Sequence, residues 1–149
     1  MQDAKNICSI ATHEMVRLPA LQLIEAFATM RFMSRTVLIV DDHPSFRASA
    51  RAMLESEGFD VVGEAEDGAS AIDAVAALAP DVLVLDVQLP DMTGFDVCDV
   101  LQLSATVPDI ILVSSRDGAD YGELVARSGA CGFVPKDELS GDLVSALLP

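Results

Sequence analysis

The sequence has few cysteines and no long apolar run, and each shortage excludes a class of protein. Its three cysteines, Cys8, Cys98 and Cys131, are far apart and form no CxxC pair. This odd, scattered set argues against a disulfide framework or a zinc site and favours a reducing compartment. Uninterrupted apolar runs are only a few residues long, whereas a membrane helix needs about 20. We therefore expect a cytoplasmic protein that does not cross a membrane.

A shortage of basic residues limits the partners that suit the chain electrostatically. Nine lysines and arginines face 24 aspartates and glutamates, so the formal net charge is −15. Four basic and three acidic side chains fall within residues 1–36, which leaves −16 on the remainder. Nucleic-acid binding depends largely on Lys and Arg neutralising phosphates. The composition therefore predicts no nucleic-acid binding by this chain alone, and it suits a divalent cation or a partner with a basic rim.

What the chain does contain, from Arg35 onward, is an alternation of strand-like apolar runs and helix-like apolar spacing. The predicted strands are Thr36–Val40, Asp60–Glu66, Asp81–Val87, Asp109–Ser115 and Cys131–Val134. Helices are predicted from Pro44 to Gly58, over residues 70–79 after a capping Asp67 and before Pro80, over residues 94–103, from Asp120 to Arg127, and from Asp142 to Leu148. Five strands alternating with five helices predict one domain, with a parallel sheet between two layers of helices.

Polar side chains stand where four of the predicted strands end. Asp41 and Asp42 follow the first strand, Asp86 and Ser114 stand one residue before the ends of the third and fourth, and Lys136 follows the fifth. Each alone is weak evidence, but ligands of open parallel sheets bind at this edge. Three clustered carboxylates repel one another unless a cation is present, and Mg²⁺ prefers oxygen ligands and also accepts a phosphate oxygen. The residues therefore predict a phosphoryl-transfer site with a carboxylate nucleophile, a metal, a lysine and a hydroxyl donor.

Four stretches of the chain carry a more specific signal. VLIVDDHPSFR, DVLVLDVQLPDMTGFDV, DIILVSS and GFVPKDEL follow one another in this order. Together they resemble the receiver domain of bacterial two-component response regulators, over about 113 of the 149 residues. The resemblance implies a flavodoxin-like (βα)5 three-layer sandwich with a five-stranded parallel sheet of order 2-1-3-4-5. Around VLIVDDHPSFR and GFVPKDELS the sequence is most similar to receivers of the helix-turn-helix output class.

The resemblance also implies the chemistry of the acidic residues. Asp86 corresponds to the aspartate that accepts a phosphoryl group from a phosphohistidine. Asp42 corresponds to the direct magnesium ligand, and Asp41 to the acidic residue that reaches Mg²⁺ through water. The backbone carbonyl of Gln88 corresponds to a further ligand of the metal.

Other matching positions are implied to respond to the phosphoryl group. Ser114 resembles the hydroxyl that moves toward it, Lys136 the lysine that pairs with it, and Phe133 the aromatic switch that turns inward. The fourth helix, fifth strand and last helix would then change their shared face. Candidates for that face are Tyr121, Leu124 and Val125, with ordinary core packing as the alternative.

The chain departs from the family pattern near Lys136. Many receivers have a cis-bonded proline after this lysine, but here Pro135 precedes it and Asp137 follows, so no cis bond is expected. Pro135 is compatible with a strand at the edge of the sheet. Phe133 has no hydroxyl, so burial but no hydrogen bond would favour its inward position.

The predicted receiver covers residues 35–149, and residues 1–34 form an N-terminal extension. Apolar residues at helical spacing within it are Leu18, Leu21, Ile24 and Phe27. Met33 directly precedes SRTVLIVDDH, so our hypothesis is that Met33 is the natural start and the extension a mis-assigned leader; the alternative is a helix that packs on the receiver or on a partner. Only 13 residues follow Lys136, too few for the usual output domain, so we expect a stand-alone receiver.

We therefore expect a single-domain response regulator in a phosphorelay, phosphorylated on Asp86 with Mg²⁺ by a sensor histidine kinase or a phosphotransfer protein. It would signal through a downstream protein target, as a monomer or weak homodimer, and would be no enzyme beyond its own phosphorylation and dephosphorylation. One alternative is a receiver-like interaction module that is never phosphorylated. Another is a phosphatase with Asp86 as nucleophile, although Gln88 stands where dehalogenase-type hydrolases have a second acid. Without a GxxxxGK[ST] loop, a histidine kinase or nucleotide-binding protein is excluded.

Overall fold

The computed structural model describes residues 20–22, 34–116 and 120–149 of the chain. The chain divides into two compact units, Met1–Ser34 and Arg35–Pro149. Residues 20–22 of the first unit are helical. The other positions named for the extension, Leu18, Ile24, Phe27 and Met33, lie outside the described residues. The hypothesis that the extension is a mis-assigned leader, and the alternative that it is a packed helix, therefore both stay predictions.

The second unit is built on a five-stranded sheet with the strand order β2-β1-β3-β4-β5. The strands are β1 (Thr36–Val40), β2 (Asp60–Ala65), β3 (Val82–Asp86), β4 (Asp109–Ser114) and β5 (Gly132–Pro135). Every neighbouring pair is parallel. Parallel neighbours need long crossover connections, which the helices supply. The predicted flavodoxin-like order 2-1-3-4-5 is confirmed.

Five helices alternate with these strands: α1 (Pro44–Ser56), α2 (Gly68–Leu78), α3 (Gly94–Gln102), α4 (Glu123–Arg127) and α5 (Gly141–Leu147). Pro44 stands in the first turn of α1, and the Asp67 carboxylate caps α2 by accepting the Ser70 N–H, both as predicted. The expected start of the fourth helix at Asp120 is wrong. Gly122 has φ 35° and ψ −107°, outside the helical region, so α4 begins only at Glu123.

Alternate residues of the central strands face opposite layers of helices. Leu38 and Val40 lie in the core shared with α2 and α3, whereas Val37 and Ile39 lie in the core shared with α1 and α5. Every residue of β3 is buried. Burial of each large aliphatic side chain contributes roughly 1.5–3 kcal/mol to folding. With both faces of the sheet occupied by apolar packing, polar chemistry is left to the strand ends.

β5 forms one edge of the sheet and pairs there with β4. It begins and ends one residue later than predicted, and its last residue, Pro135, pairs with Ser114 at the end of β4. Proline lacks an N–H, which an edge strand tolerates since its outer side needs no partner. A 3-10 turn, Lys136–Glu138, follows directly. The edge strand thus delivers Lys136 to the carboxyl end of the sheet.

Within the described part of the chain, none of the helices combines the length and the apolar character needed to span a bilayer.

Candidate functional site

Three of the residues predicted from the sequence meet beyond the carboxyl ends of the strands. Asp41 follows β1, Asp86 ends β3 and Lys136 follows β5. Lys136 Nζ lies 2.5 Å from Asp41 Oδ2 and 3.1 Å from Asp86 Oδ2. The two carboxylate side chains are 0% and 3% exposed, respectively. One ammonium therefore offsets two carboxylates that have little access to water.

Burial and mutual repulsion change how these groups ionise. Burial, and then the nearby charge of Asp41, raise the pKa of Asp86 from 3.8 to about 6, while the Gln88 N–H and Lys136 act in the opposite direction. Burial disfavours the charged ammonium, but the contacts with Asp41 and Asp86 outweigh it and raise the pKa of Lys136. Above about pH 6, Asp86 is therefore mainly a carboxylate despite its surroundings.

Asp42 completes an acidic cluster that fits a divalent cation. Ligand atoms of Asp41, Asp42, His43 and Asp86 all lie within 4.8 Å of one another. Asp41 Oδ2 is fully buried, and the Lys136 ammonium lies beside it. Three carboxylates in such proximity are the donors that a small, hard cation prefers. The side chain of Asp42 is 38% exposed, so the cluster is open to solvent on that side.

The loop after β3 places Gln88 beside Asp86. The Gln88 N–H donates a hydrogen bond of 3.2 Å to Asp86 Oδ1, and its backbone pairs with Thr93 in an isolated bridge. The Gly94 N–H closes the loop on Val87 O at 2.7 Å. A cavity of about 200 Å³ opens here, with room for a phosphoryl group and a few waters. Its lining residues are Asp42, His43, Asp86, Gln88, Leu89, Pro90, Ser115 and Lys136.

The same loop is anchored to the start of α2. The Asp91 carboxylate accepts the N–H groups of Gly68 and Ala69 at 2.8 and 2.9 Å. These two hydrogen bonds hold the pKa of Asp91 below its usual value, and the bond from the Gly68 N–H has the larger effect. An exposed helix N-terminus favours such a negative partner. Asp91 therefore helps to position the loop that carries Gln88.

Ser114 and Phe133, the predicted switch residues, stand beside the cavity rather than in it. Ser114 Oγ lies 3.1 Å from the hydroxyl of Tyr121 and accepts the Arg116 N–H at 3.1 Å. The Phe133 ring centroid is 5.8 Å from that of Tyr121. Tyr121 precedes α4 and packs against the core together with Val125, as the alternative reading expected, whereas Leu124 is 53% exposed.

The site also contains three residues that were not predicted from the sequence, and all three follow Asp42 closely in the chain: His43, Phe46 and Arg47. His43 Nδ1 lies 3.0 Å from Oδ1 of both Asp41 and Asp42. Lys136 Nζ lies 4.8 Å from the centroid of the Phe46 ring, within the range of a cation–π contact. The Arg47 guanidinium donates to the carbonyl oxygen of Asp41 at 2.6 Å. The sequence signal that could have identified them is their closeness to Asp41 and Asp42, because α1 begins at Pro44.

A larger cavity, of about 550 Å³, lies at the opposite end of the sheet, beside Asp81 and Asp109. The carboxylates of Asp81 and Asp109 there already have partners within the fold. Asp81 accepts hydrogen bonds from the backbone N–H and the hydroxyl of Thr36, and Arg35 lies 3.7 Å from Asp109. Among the described residues, the charged groups that remain available to a ligand therefore line the smaller cavity at the carboxyl end of the sheet.

The response regulator receiver domain family matches residues 37–148, a span that contains every residue of the site. The chain belongs to this family. This receiver is 34% identical over 110 residues to the DNA-binding transcriptional activator EvgA of Escherichia coli K12, covering 74% of this chain and 54% of EvgA. It is 40% identical over 118 residues to the DNA-binding response regulator MtrA of Mycolicibacterium smegmatis, covering 78% and 50%. The chain spans about half the length of these curated relatives.

Solved structures of other receivers share the fold. The signal receiver domain of the putative response regulator NarL from Mycobacterium tuberculosis has a TM-score of 0.69 at 32% identity, over 76% of this chain and 96% of that one. A LuxR-family response regulator from Aurantimonas sp. SI85-9A1 has a TM-score of 0.70 at 28% identity, over 76% and 82%. The family resemblance read from the four motifs is confirmed, as is the receiver fold.

Proposed function

We propose that this receiver accepts a phosphoryl group on Asp86 from the phosphohistidine of a histidine kinase or phosphotransfer protein, in the presence of Mg²⁺. The observation that supports this most is the Asp86 carboxylate itself, buried, beside a cavity and paired with Lys136 at 3.1 Å. A carboxylate oxygen of Asp86 attacks phosphorus while the bond between phosphorus and the histidine nitrogen breaks. The products are an acyl phosphate on Asp86 and an imidazole, which takes up a proton.

The residues around Asp86 prepare this step in different ways. Lys136 keeps a positive charge beside the reacting carboxylate, and the Gln88 N–H holds Asp86 Oδ1 in a fixed direction. Asp42, Asp86 and the backbone carbonyl of Gln88 would hold Mg²⁺ directly, with Asp41 acting through water. When bound, the metal supplies positive charge for the phosphoryl oxygens.

The phosphoryl group adds about one negative charge and new acceptor oxygens at Asp86. Ser114 then turns toward these oxygens, and Phe133 occupies the space that it leaves. The face formed by α4, β5 and α5 changes, and a downstream protein recognises it. These roles of Ser114 and Phe133 come from the family resemblance. Phe133 of β5 pairs with Leu112, two residues before Ser114 in the adjacent β4, which supports them.

The wider biological setting stays a prediction. Relatives of this receiver are DNA-binding regulators about twice its matched length. The prediction that this chain itself binds no nucleic acid rests on its net charge of −15. A monomeric or weakly dimeric state and a cytoplasmic location are also proposals.

Incubation with Mg²⁺ and a small phosphodonor, followed by intact mass, tests the proposal. The wild-type receiver should gain the mass of one phosphoryl group, and Asp86→Asn should gain none. Asp42→Ala should abolish labelling at every Mg²⁺ concentration. Lys136→Ala should still be labelled, but the face formed by α4, β5 and α5 should then change less. Asp73→Asn, an exposed residue of α2, is the matched control and should label normally.

Two outcomes contradict the proposal: an unmodified wild-type protein, or equal labelling of Asp86→Asn. Either would favour the alternative of a receiver-like interaction module that is not phosphorylated. Rapid release of inorganic phosphate over many turnovers would instead favour the phosphatase alternative.

A further inference from the structure

The hydroxyl of Ser114 is engaged away from the cavity that holds Asp86. Ser114 is buried, with 1% of its surface exposed, at the end of β4. Its Oγ lies 3.1 Å from the hydroxyl of Tyr121 and accepts the Arg116 N–H. Among the described residues that line the cavity is the next residue, Ser115, but not Ser114. Ser114 must therefore rotate before it can touch a group bound at Asp86.

The ring of Tyr121 connects this hydroxyl to two other aromatic rings. Its centroid lies 5.6 Å from Phe95 of α3 and 5.8 Å from Phe133 of β5, both in tilted geometry. Such aromatic pairs are favourable beyond the area they bury. Phe133 has no hydroxyl, so the tyrosine beside it is the aromatic residue that makes a hydrogen bond to Ser114.

We propose that Tyr121 is a positioning residue that holds Ser114 in the orientation of the unphosphorylated receiver. This inference rests on the proposed phosphorylation of Asp86. Either hydroxyl can be the donor in this hydrogen bond, and the rotation that brings the serine hydroxyl to a phosphoryl oxygen separates it from Tyr121. The freed tyrosine ring can then shift against Phe95 and Phe133. Tyr121 thereby opposes the phosphorylated state and transmits its formation to α3, β5 and the start of α4.

Tyr121→Phe tests the hydrogen bond alone, because it keeps the ring and removes the hydroxyl. The affinity for beryllofluoride, an analogue of the aspartyl phosphoryl group, is measured with Mg²⁺ by fluorine NMR. Loss of one hydrogen bond that opposes binding should tighten the affinity about 2- to 12-fold. In a Ser114→Ala background the same change should have no effect, since Tyr121 then has no partner to release.

Ser128→Ala is the matched control for a general loosening of α4. Ser128 Oγ donates to Val125 O at 2.6 Å at the end of this helix, and the residue is buried. This variant should lose stability but keep its affinity for beryllofluoride. Unchanged or weaker binding by Tyr121→Phe, or equal tightening by Ser128→Ala, would overturn the inference. A wild-type receiver that binds no beryllofluoride would contradict the proposed function as well.

A second measurement uses a property of the composition. The chain has one tyrosine and no tryptophan, so its intrinsic fluorescence reports on Tyr121 alone. Adding beryllofluoride and Mg²⁺ to the wild-type protein should change the tyrosine emission. Ser114→Ala should show the changed emission from the start and respond no further. Identical emission in the free and bound wild-type protein would overturn the inference.

Discussion

Lys136 Nζ lies 3.1 Å from Asp86 Oδ2, although 50 residues separate the two in the chain. The same ammonium lies 2.5 Å from Asp41 Oδ2. A buried charge without a partner is costly, and here two carboxylates depend on one lysine. These three side chains together therefore hold one more negative than positive charge, and substitution of the lysine or of a carboxylate should change the stability of the fold in opposite directions.

Removal of the lysine should destabilise the fold. Lys136→Met leaves two buried carboxylates without their cation, so we expect the free energy of unfolding to fall by about 3–5 kcal/mol. Urea denaturation at pH 7.5 in EDTA measures this, and Mg²⁺ should restore part of the loss. Arg127→Met is the control, because its pair with Glu123 is exposed and should contribute at most about 1 kcal/mol. A loss no larger than the control's would contradict the pairing.

Removal of the acceptor carboxylate should stabilise the protein at neutral pH. The pKa of Asp86 is raised from 3.8 to about 6, so the folded protein retains a proton that the unfolded chain has released. The resulting stability is fully present below about pH 4 and is lost as the pH rises through about 6. Asp86→Asn cannot ionise and should raise the free energy of unfolding at pH 7.5 by about 1–3 kcal/mol.

Urea denaturation in EDTA at pH 7.5 and pH 4.5 checks this prediction. The gain should shrink at the lower pH, and the exposed control Asp73→Asn should show no such dependence. Equal effects of Asp86→Asn at both pH values would contradict the prediction that the ionised Asp86 carboxylate destabilises the fold at pH 7.5.

Metal binding should stabilise the wild-type receiver through Asp42. A ligand at about 100 times its Kd adds about 2.7 kcal/mol to the free energy of unfolding. The Asp42 side chain is 38% exposed, so Asp42→Asn should fold but lose this gain. The melting temperature with MgCl2 and with EDTA measures the difference, with Asp73→Asn as the control. Equal shifts in Asp42→Asn and the wild type would place the ion elsewhere.

Gly94 permits the close approach of α3 to the strand that carries Asp86. A Cβ at Gly94 would lie 2.6 Å from the carbonyl oxygen of Asp86 and 3.0 Å from Val87 Cα. Both are backbone atoms, so Gly94→Ala should lower the free energy of unfolding by about 1–3 kcal/mol and weaken Mg²⁺ binding. At Gly68 the added Cβ meets only the flexible side chain of Met92, so Gly68→Ala should cost less. Thermal and urea denaturation compare the two variants.

Most of the strands and helices could be predicted from local patterns. Buried, continuous runs such as Val37–Val40 and Val82–Leu85 belong to strands covered on both faces, and Asp67 caps α2 as its position before a helical pattern suggests. The sequence predicts the start of α4 too early, because a glycine inside a helical pattern can either continue or end a helix, and only the structure shows that Gly122 is not helical. The strand order came from the family resemblance, since periodicity does not distinguish one parallel order from another.

The sequence by itself determined that carboxylates, a hydroxyl and a lysine stand at strand ends, because a parallel sheet brings those ends to one edge. Only the tertiary structure decided their partners. It pairs Lys136 with both Asp41 and Asp86, sets His43 against two aspartates, and turns Ser114 toward Tyr121. The physical reason is that such contacts depend on side-chain directions and distances of a few ångströms between elements far apart in the chain. Packing sets those distances, whereas periodicity sets only the face and the end of an element.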